Sequence, residues 1–200
     1  MTDLVTVAVY PTRSDAEIVR ARLASDGIEA IVIPDDEGGL NPGFYSRYGV
    51  RVVVASEDLA DARDSVGVEV IVIPDEAMQA MIDHARAWAP NEACGLIAGA
   101  NGGVTKTYQL ANADPGPNRF TIDPEEHFSA WRDATAHGWG IVGLFHSHPT
   151  APPIPSTADL EGGGDPAWVN LIVGVENGRL AARAYRYGGG VASPVEIERR

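Results

Sequence analysis

The first 66 residues carry short apolar runs separated by one clear helical period. Leu4 to Tyr10 (LVTVAVY) is Val-rich and predicts a strand. Ser14 and Glu17 have the spacing of a capping box, and Ile18, Ala21 and Leu23 follow at helical intervals. Gly27 stands where such a helix would receive its C-terminal cap. Ile28 to Ile33 and Val50 to Ala55 predict two further strands, and Ser56 opens a short helix ending near Val66. Between those strands, Pro34 to Tyr48 (PDDEGGLNPGFYSRY) has the Gly, Pro and Asp content of a long loop.

Gly67 marks a boundary, after which the pattern starts again. Val68 to Ile73 predicts a strand that Pro74 stops. Met78, Met81, Ile82, Ala85 and Trp88 give Asp75 to Trp88 a helical period, ended by Pro90. Ala93 to Ala98 and Thr105 to Leu110 predict strands joined through the turn-like ANGGV at 100–104. Asp123 to Ala136 predicts a second amphipathic helix, with Phe128 and Trp131 on its apolar face. Gly140 to His146 and Trp168 to Glu176 predict apolar strands. Asn177-Gly178 is a strong hairpin signal returning Arg179 to Tyr187. The mixed-sign end, Glu196 to Arg200, reads as a solvated tail. The IVIPD at 31–35 and again at 71–75 is too short for a duplication and fits two strands ending at similar turns.

Composition narrows the class. Two hundred residues suffice for one large domain or two small ones, and the pattern favours 1–67 and 68–200. A net charge of −13 provides no general field for nucleic acid, so no DNA or RNA partner is expected. No apolar run reaches the ~20 residues needed to span a bilayer. The N-terminus lacks a basic region before its apolar stretch, so a cytoplasmic protein without membrane attachment is expected. A single cysteine, Cys94, excludes an intrachain disulfide and a Cys-rich zinc centre.

The chemistry concentrates in HSHPTAPPIPSTAD, residues 146 to 159. His146 and His148 are two apart at a strand end, so both imidazoles face one side. Ser156 takes the cap position of a helix start, with Asp159 one turn in and its carboxylate projecting back. Two histidines and a carboxylate, with a fourth position for water, make the donor set of a catalytic zinc site. An HxH pair alone is a weak signal, more often a coincidence of packing, and the spacing also admits iron, cobalt or manganese. Cys94 lies in an apolar segment and reads as a structural thiol. His84, His127 and His137 read as packing or surface residues, and Asp123, Glu125 and Glu126 as helix-start acids. Neither HExxH nor PCxxC occurs.

HSHP, six residues, then Ser-x-x-Asp resembles the signature of the JAMM (MPN+) metalloprotease family. The segment Asn91-Glu92-Ala93-Cys94-Gly95-Leu96-Ile97 resembles that family's upstream glutamate motif, and the likeness covers about residues 68 to 190. It implies an α+β fold, with a β-sheet flanked by helices. One zinc ion would be held by His146, His148 and Asp159, with Glu92 as general base and the Ser156 hydroxyl at the oxyanion. The Pro152-Pro153 pair stiffens the loop and removes no ligand. Bacterial stand-alone members similar to this chain act on ubiquitin-like sulfur-carrier proteins, and some release an amino acid such as cysteine. The implied substrate is therefore an amide bond after the C-terminal glycines of a ubiquitin-like or sulfur-carrier protein.

Two other readings compete. A non-catalytic zinc-binding MPN interaction module would keep the fold without turnover, and the complete residue set speaks against it. A RadC-like protein shares an HxHP-Ser-Asp loop, but the acidic balance gives no support for DNA. Residues 1–67 resemble small bacterial domains described as signal-transducing, which implies a ferredoxin-like α/β accessory or dimerisation domain. Phe44, Tyr45 and Tyr48 in the long loop are candidate contacts for a docked protein substrate. The sequence leaves oligomeric state open.

Overall fold

The structure is a computed structural model that describes residues 3–10, 12–34, 50–67, 69–100, 103–162 and 164–200. Contacts among them cluster into two compact units. The first comprises Met1–Glu69, Ile154–Gly164 and Arg186–Pro194, and the second Val70–Pro153, Asp165–Tyr185 and Val195–Arg200. Apart from Pro34, the predicted loop over 34–48, with Phe44, Tyr45 and Tyr48, lies outside the described residues.

In the first unit, strand β1 (Leu4–Tyr10) leads into helix α1 (Arg13–Ser25). Strands β2 (Ala30–Pro34) and β3 (Val50–Ala55) follow, then a short 3₁₀ turn at Ser56–Asp58 and helix α2 (Leu59–Val66). Strand β3 is central, antiparallel to β1 through Leu4↔Ala55 to Tyr10↔Val50 and to β2 through Ala30↔Val54 to Pro34↔Val50. Val7, Val50, Val52 and Val54 alternate toward a core completed by Ala16 and Leu23 of α1 and Ala62 of α2. The N-cap of α1 is Thr12, which accepts from Asp15 N, so the capping box lies two residues before the predicted Ser14–Glu17 pair. Thr12-x-x-Asp15 has the same form, and one more half-turn of helix is gained by starting there. Gly67 ends α2 in the left-handed conformation, φ 68°.

The second unit opens with strand β4 (Glu69–Ile73) and helix α3 (Asp75–Trp88). Next in the chain come β5 (Cys94–Ala100), β6 (Gly103–Leu110), α4 (Pro124–Ala136), β7 (Gly140–Ser147), the short helix α5 (Thr157–Gly162), which falls in the first unit, β8 (Val169–Glu176), β9 (Arg179–Gly188) and β10 (Val191–Arg199), whose residues from Val195 on fall in the second. Its strands run in the order β4-β6-β5-β7-β8-β9. The pairs β6–β5 and β5–β7 are antiparallel, and β4–β6 and β7–β8 are parallel. Helix α3 covers one face, where Met78 and Met81 meet Ile73, Ile97, Phe145, Leu171 and Val173. Helix α4 covers the other, where Ala130 meets Leu96 and Leu110 with Leu144 alongside. Fully burying an aliphatic or aromatic side chain contributes about 1.5–3 kcal/mol, so the two faces together dominate the stability of this unit. A mixed sheet with helices on both faces makes the fold α+β.

Two expectations are corrected here. Phe128 and Trp131 point outward, 57% and 48% exposed. Helix α4 instead buries Ala130 and Ala134, whose small side chains let its backbone lie close on the sheet. The displaced aromatics stack on each other at 5.7 Å, and the Arg132 guanidinium lies 5.9 Å from the Phe128 ring centre. The C-terminal end is strand β10 and not a loose tail. Val195 and Ile197 pack into the core while Glu198 and Arg199 are exposed, and Asp75 N donates to Arg200 O. The Asn177-Gly178 hairpin turn occurs where the dipeptide places it, with φ 51° and 74°. Among the described residues, no helix is long and apolar enough to cross a membrane.

Candidate active site

Strand β7 delivers two imidazoles to its C-terminal end. Leu144 faces α4 and Phe145 faces α3, so alternation puts His146 on the Leu144 side. His146 is 1% exposed and pairs with Cys94 on β5 and Ile172 on β8. Pairing continues past the strand. Ser147 N donates to Ala93 O at 3.0 Å, and His148 N donates to Val173 O at 2.8 Å. Ser147 Oγ in turn accepts from Ala93 N at 2.8 Å. The middle residue of His-Ser-His thus ties the histidine strand to the segment that carries Glu92.

The two Nε2 atoms lie 3.2 Å apart. Nδ1 of His148 lies 3.0 Å from Pro152 O, a pure acceptor, so in the neutral ring this nitrogen carries the proton. The His148 Nε2 lone pair is then directed at His146. Two nitrogens on adjacent corners of a tetrahedron with ~2.0–2.1 Å bonds stand about 3.3 Å apart, so the observed spacing suits a shared divalent ion. Phe120 stacks on the His146 ring at 4.8 Å and 19°, fixing its plane.

The loop that receives the His148 proton is itself clamped. Ala151 O accepts from Val175 N, Pro152 O from His148, and Pro153 O from the Tyr185 hydroxyl at 2.9 Å. Three consecutive carbonyls are satisfied, and the two prolines bring no N–H that would need a partner. Gly174 lies directly beneath. A Cβ there would stand 2.5 Å from Pro153 N and 2.6 Å from Pro152 C, a gap that only glycine leaves open.

Ser156 and Asp159 form a reciprocal cap at the start of α5. Asp159 Oδ2 accepts from Ser156 N at 2.6 Å and from Ser156 Oγ at 2.7 Å, and Ser156 Oγ accepts from Asp159 N at 3.2 Å. His146, His148 and Asp159 each offer one ligand atom, all within 4.8 Å of one another. Among the described residues this is the group of that kind that can hold a metal ion. Two buried imidazoles and a half-buried carboxylate are the donors a divalent ion of zinc's type accepts.

Glu92 is 5% exposed and immediately precedes Ala93, whose N–H and carbonyl both engage Ser147. It therefore sits at the same end of the β5–β7 pair as the histidines. The remaining candidates fall elsewhere. His84 contacts Leu110 O and packs edge-on against Phe145 and Trp88. His127 lies against Trp168, and His137 stacks on Trp139. Asp123 caps α4 by accepting from Glu125 N and Glu126 N.

Cys94 is fully buried, and burial first, then the Glu126 and Glu92 carboxylates, push its thiol up to about 12. A thiol held that high has almost no thiolate at neutral pH and cannot serve as a nucleophile. Ellman's reagent at pH 8 is expected to leave Cys94 unmodified in the native protein and to titrate one thiol in denaturant. Rapid reaction of the native protein would refute this assignment. The residues that sequence reasoning missed are Ser147, Phe120, Tyr185 and Asn112. Only Asn112, inside the turn-like ANADPG, carried a local signal, that of an Asx turn.

Comparison with known proteins gives a consistent result. Residues 74–186 match the Prok-JAB family, described as prokaryotic homologs of the JAB domain. A desampylase of Pyrococcus furiosus is 32% identical over 103 residues, covering 52% of this chain and 73% of that protein. The CysO-cysteine peptidase of Mycobacterium tuberculosis is 30% identical over 135 residues, covering 65% of this chain and 92% of the relative. A protein of Desulfitobacterium hafniense solved in solution superposes with a TM-score of 0.61 at 34% identity, covering 66% of this chain and 93% of its own.

Proposed function

Because the chain belongs to the Prok-JAB family, we propose that His146, His148 and Asp159 hold one zinc ion and that Glu92 is the general base. The protein is a hydrolase of the JAMM (MPN+) type. It acts on conjugates of ubiquitin-like or sulfur-carrier proteins, cutting the amide bond after the carrier's C-terminal glycines. Relatives named desampylase, CysO-cysteine peptidase and probable TtuB-protein conjugate cleaving protease support that substrate class. They favour neither a silent MPN module nor a RadC-like role. The observation that carries the metal reading is the facing Nε2 pair at 3.2 Å, with the His148 tautomer set by Pro152 O.

A zinc ion at this site supplies Lewis acidity, which polarises the scissile carbonyl and lowers the pKa of an attacking water toward ~7. The protein's own groups do the rest. The Glu92 carboxylate accepts the water proton as the C–O bond forms. The Ser156 hydroxyl donates to the developing oxyanion, exchanging its present bond to Asp159 Oδ2 for that one. As the C–N bond breaks, Glu92 returns the proton to the departing amine, so the base ends as it began. A Gly-Gly tail suits such a site because residues without side chains pass a narrow groove in extended form.

Residues 68–200 then form the catalytic domain and residues 1–67 an accessory one. The order β1-α1-β2-β3-α2 and the antiparallel neighbours β2, β3 and β1 support a ferredoxin-like origin for the latter. The test uses a ubiquitin-like carrier ending in Gly-Gly joined through an amide to cysteine. Mass spectrometry is expected to show release of the cysteine, dependent on zinc and blocked by a chelator. An adduct left intact with zinc-loaded protein would overturn this substrate assignment.

A further inference from the structure

Glu92 lies two residues before β5 begins, so no sheet ladder sets its place. Its main chain is held instead by the segment 111–122. Glu92 N donates to Gly116 O at 2.8 Å, and Glu92 O accepts from Asn112 Nδ2 at 3.0 Å. Asn112 is 4% exposed, and its amide is saturated. Nδ2 also donates to Arg119 O at 3.0 Å, while Oδ1 accepts from Asp114 N at 3.1 Å and Thr121 N at 3.0 Å. Two donors and two acceptors exhaust what a side-chain amide offers, and their arrangement admits only one orientation of the group.

The same segment also reaches the histidine pair, because Phe120 is the ring that stacks on His146. One loop, closed by the bridges Asn112↔Ile122 and Gly116↔Arg119, therefore touches both the base-carrying residue and a candidate metal ligand. We propose that Asn112 is a positioning residue for Glu92, fixing the base's main chain in register with the His146–His148 pair through this saturated clamp. The proposal rests on Glu92 being the base. Misplacement of a reacting group by about 1 Å can cost ~100-fold in rate, so loosening this clamp has a direct route to turnover.

Two variants test it. Asn112→Asp keeps the shape and the acceptor toward Asp114 N and Thr121 N, but turns the donor toward Glu92 O into a carboxylate oxygen. Asn112→Ser keeps a hydroxyl that can support the turn but falls short of Glu92. Either variant that folds, judged by its thermal transition, is expected to lower kcat roughly 10–100-fold on the carrier–cysteine adduct. KM should stay within about twofold, and zinc affinity, measured by competition with a chromophoric chelator, should stay at the wild-type value. Asn112 would then act on the base and neither on substrate binding nor on the metal. A wild-type kcat in a folded variant, beside an inactive Glu92→Gln, overturns the positioning role alone. A loss of zinc affinity matching the loss of kcat overturns it too, by moving the effect to the metal. An active Glu92→Gln enzyme removes the premise itself and is told apart by that single measurement.

Discussion

Replacing Glu92 with glutamine is expected to lower kcat by roughly 10²–10⁴-fold while the protein retains one equivalent of zinc. The substitution is nearly isosteric, so the hydrogen bonds of the Glu92 main chain to Gly116 and Asn112 and the neighbouring Ala93–Ser147 bond are unaffected. What changes is one function: an amide cannot take up the proton of the attacking water or hand it to the leaving amine. The residue is 5% exposed, so bulk solvent does not easily substitute for the missing base. Metal content by mass spectrometry and turnover of the carrier–cysteine adduct, measured on the same preparation, separate the two effects. Full activity would take Glu92 out of the mechanism. Loss of zinc along with activity would make it a ligand or a structural support instead.

How much of this was legible beforehand depends on the range of the interaction. The alternation that brings His146 and His148 to one side is a two-residue pattern, and the Ser156–Asp159 cap is a three-residue one. Both are written locally and both occur in the structure. The Asn177-Gly178 turn is equally local. The orientation of α4 is not, because a helical wheel shows two faces and only the sheet decides which it accepts. Beside β5 and β7 it accepted Ala130 and Ala134, leaving Phe128 and Trp131 outside. Strand β10 carried a readable alternation at Val195 and Ile197, which the density of charge around them obscured. The supports of the site are of a third kind. The bonds from Ser147 to Ala93, from Tyr185 to Pro153 and from Asn112 to Glu92 join residues 54, 32 and 20 positions apart. No window of sequence holds both partners.

The second large effect expected is the loss of metal and activity together in His148→Ala. This side chain has two tasks at once. Its Nε2 faces His146 Nε2, and its Nδ1–H satisfies the Pro152 carbonyl. Weakening only an outer partner of a metal-binding histidine typically costs about 10–100-fold in affinity, so deleting the ligand itself must cost more. The purified variant is expected to carry well under one equivalent of zinc and to show no turnover above the chelator-treated wild type. Zinc added back should restore the stripped wild type and leave the variant inactive. Stability responds separately. A carbonyl deprived of its donor costs about 1–3 kcal/mol, a lowering of the thermal midpoint that the metal-free wild type, with Pro152 O still satisfied, does not share. Comparing the two metal-free proteins therefore separates the stability cost of losing the buried ring, its Nδ1 bond included, from that of losing the metal. A variant that holds stoichiometric zinc as tightly as the wild type would dismiss His148 as a ligand and leave the 3.2 Å pair as a hydrogen bond between two buried imidazoles.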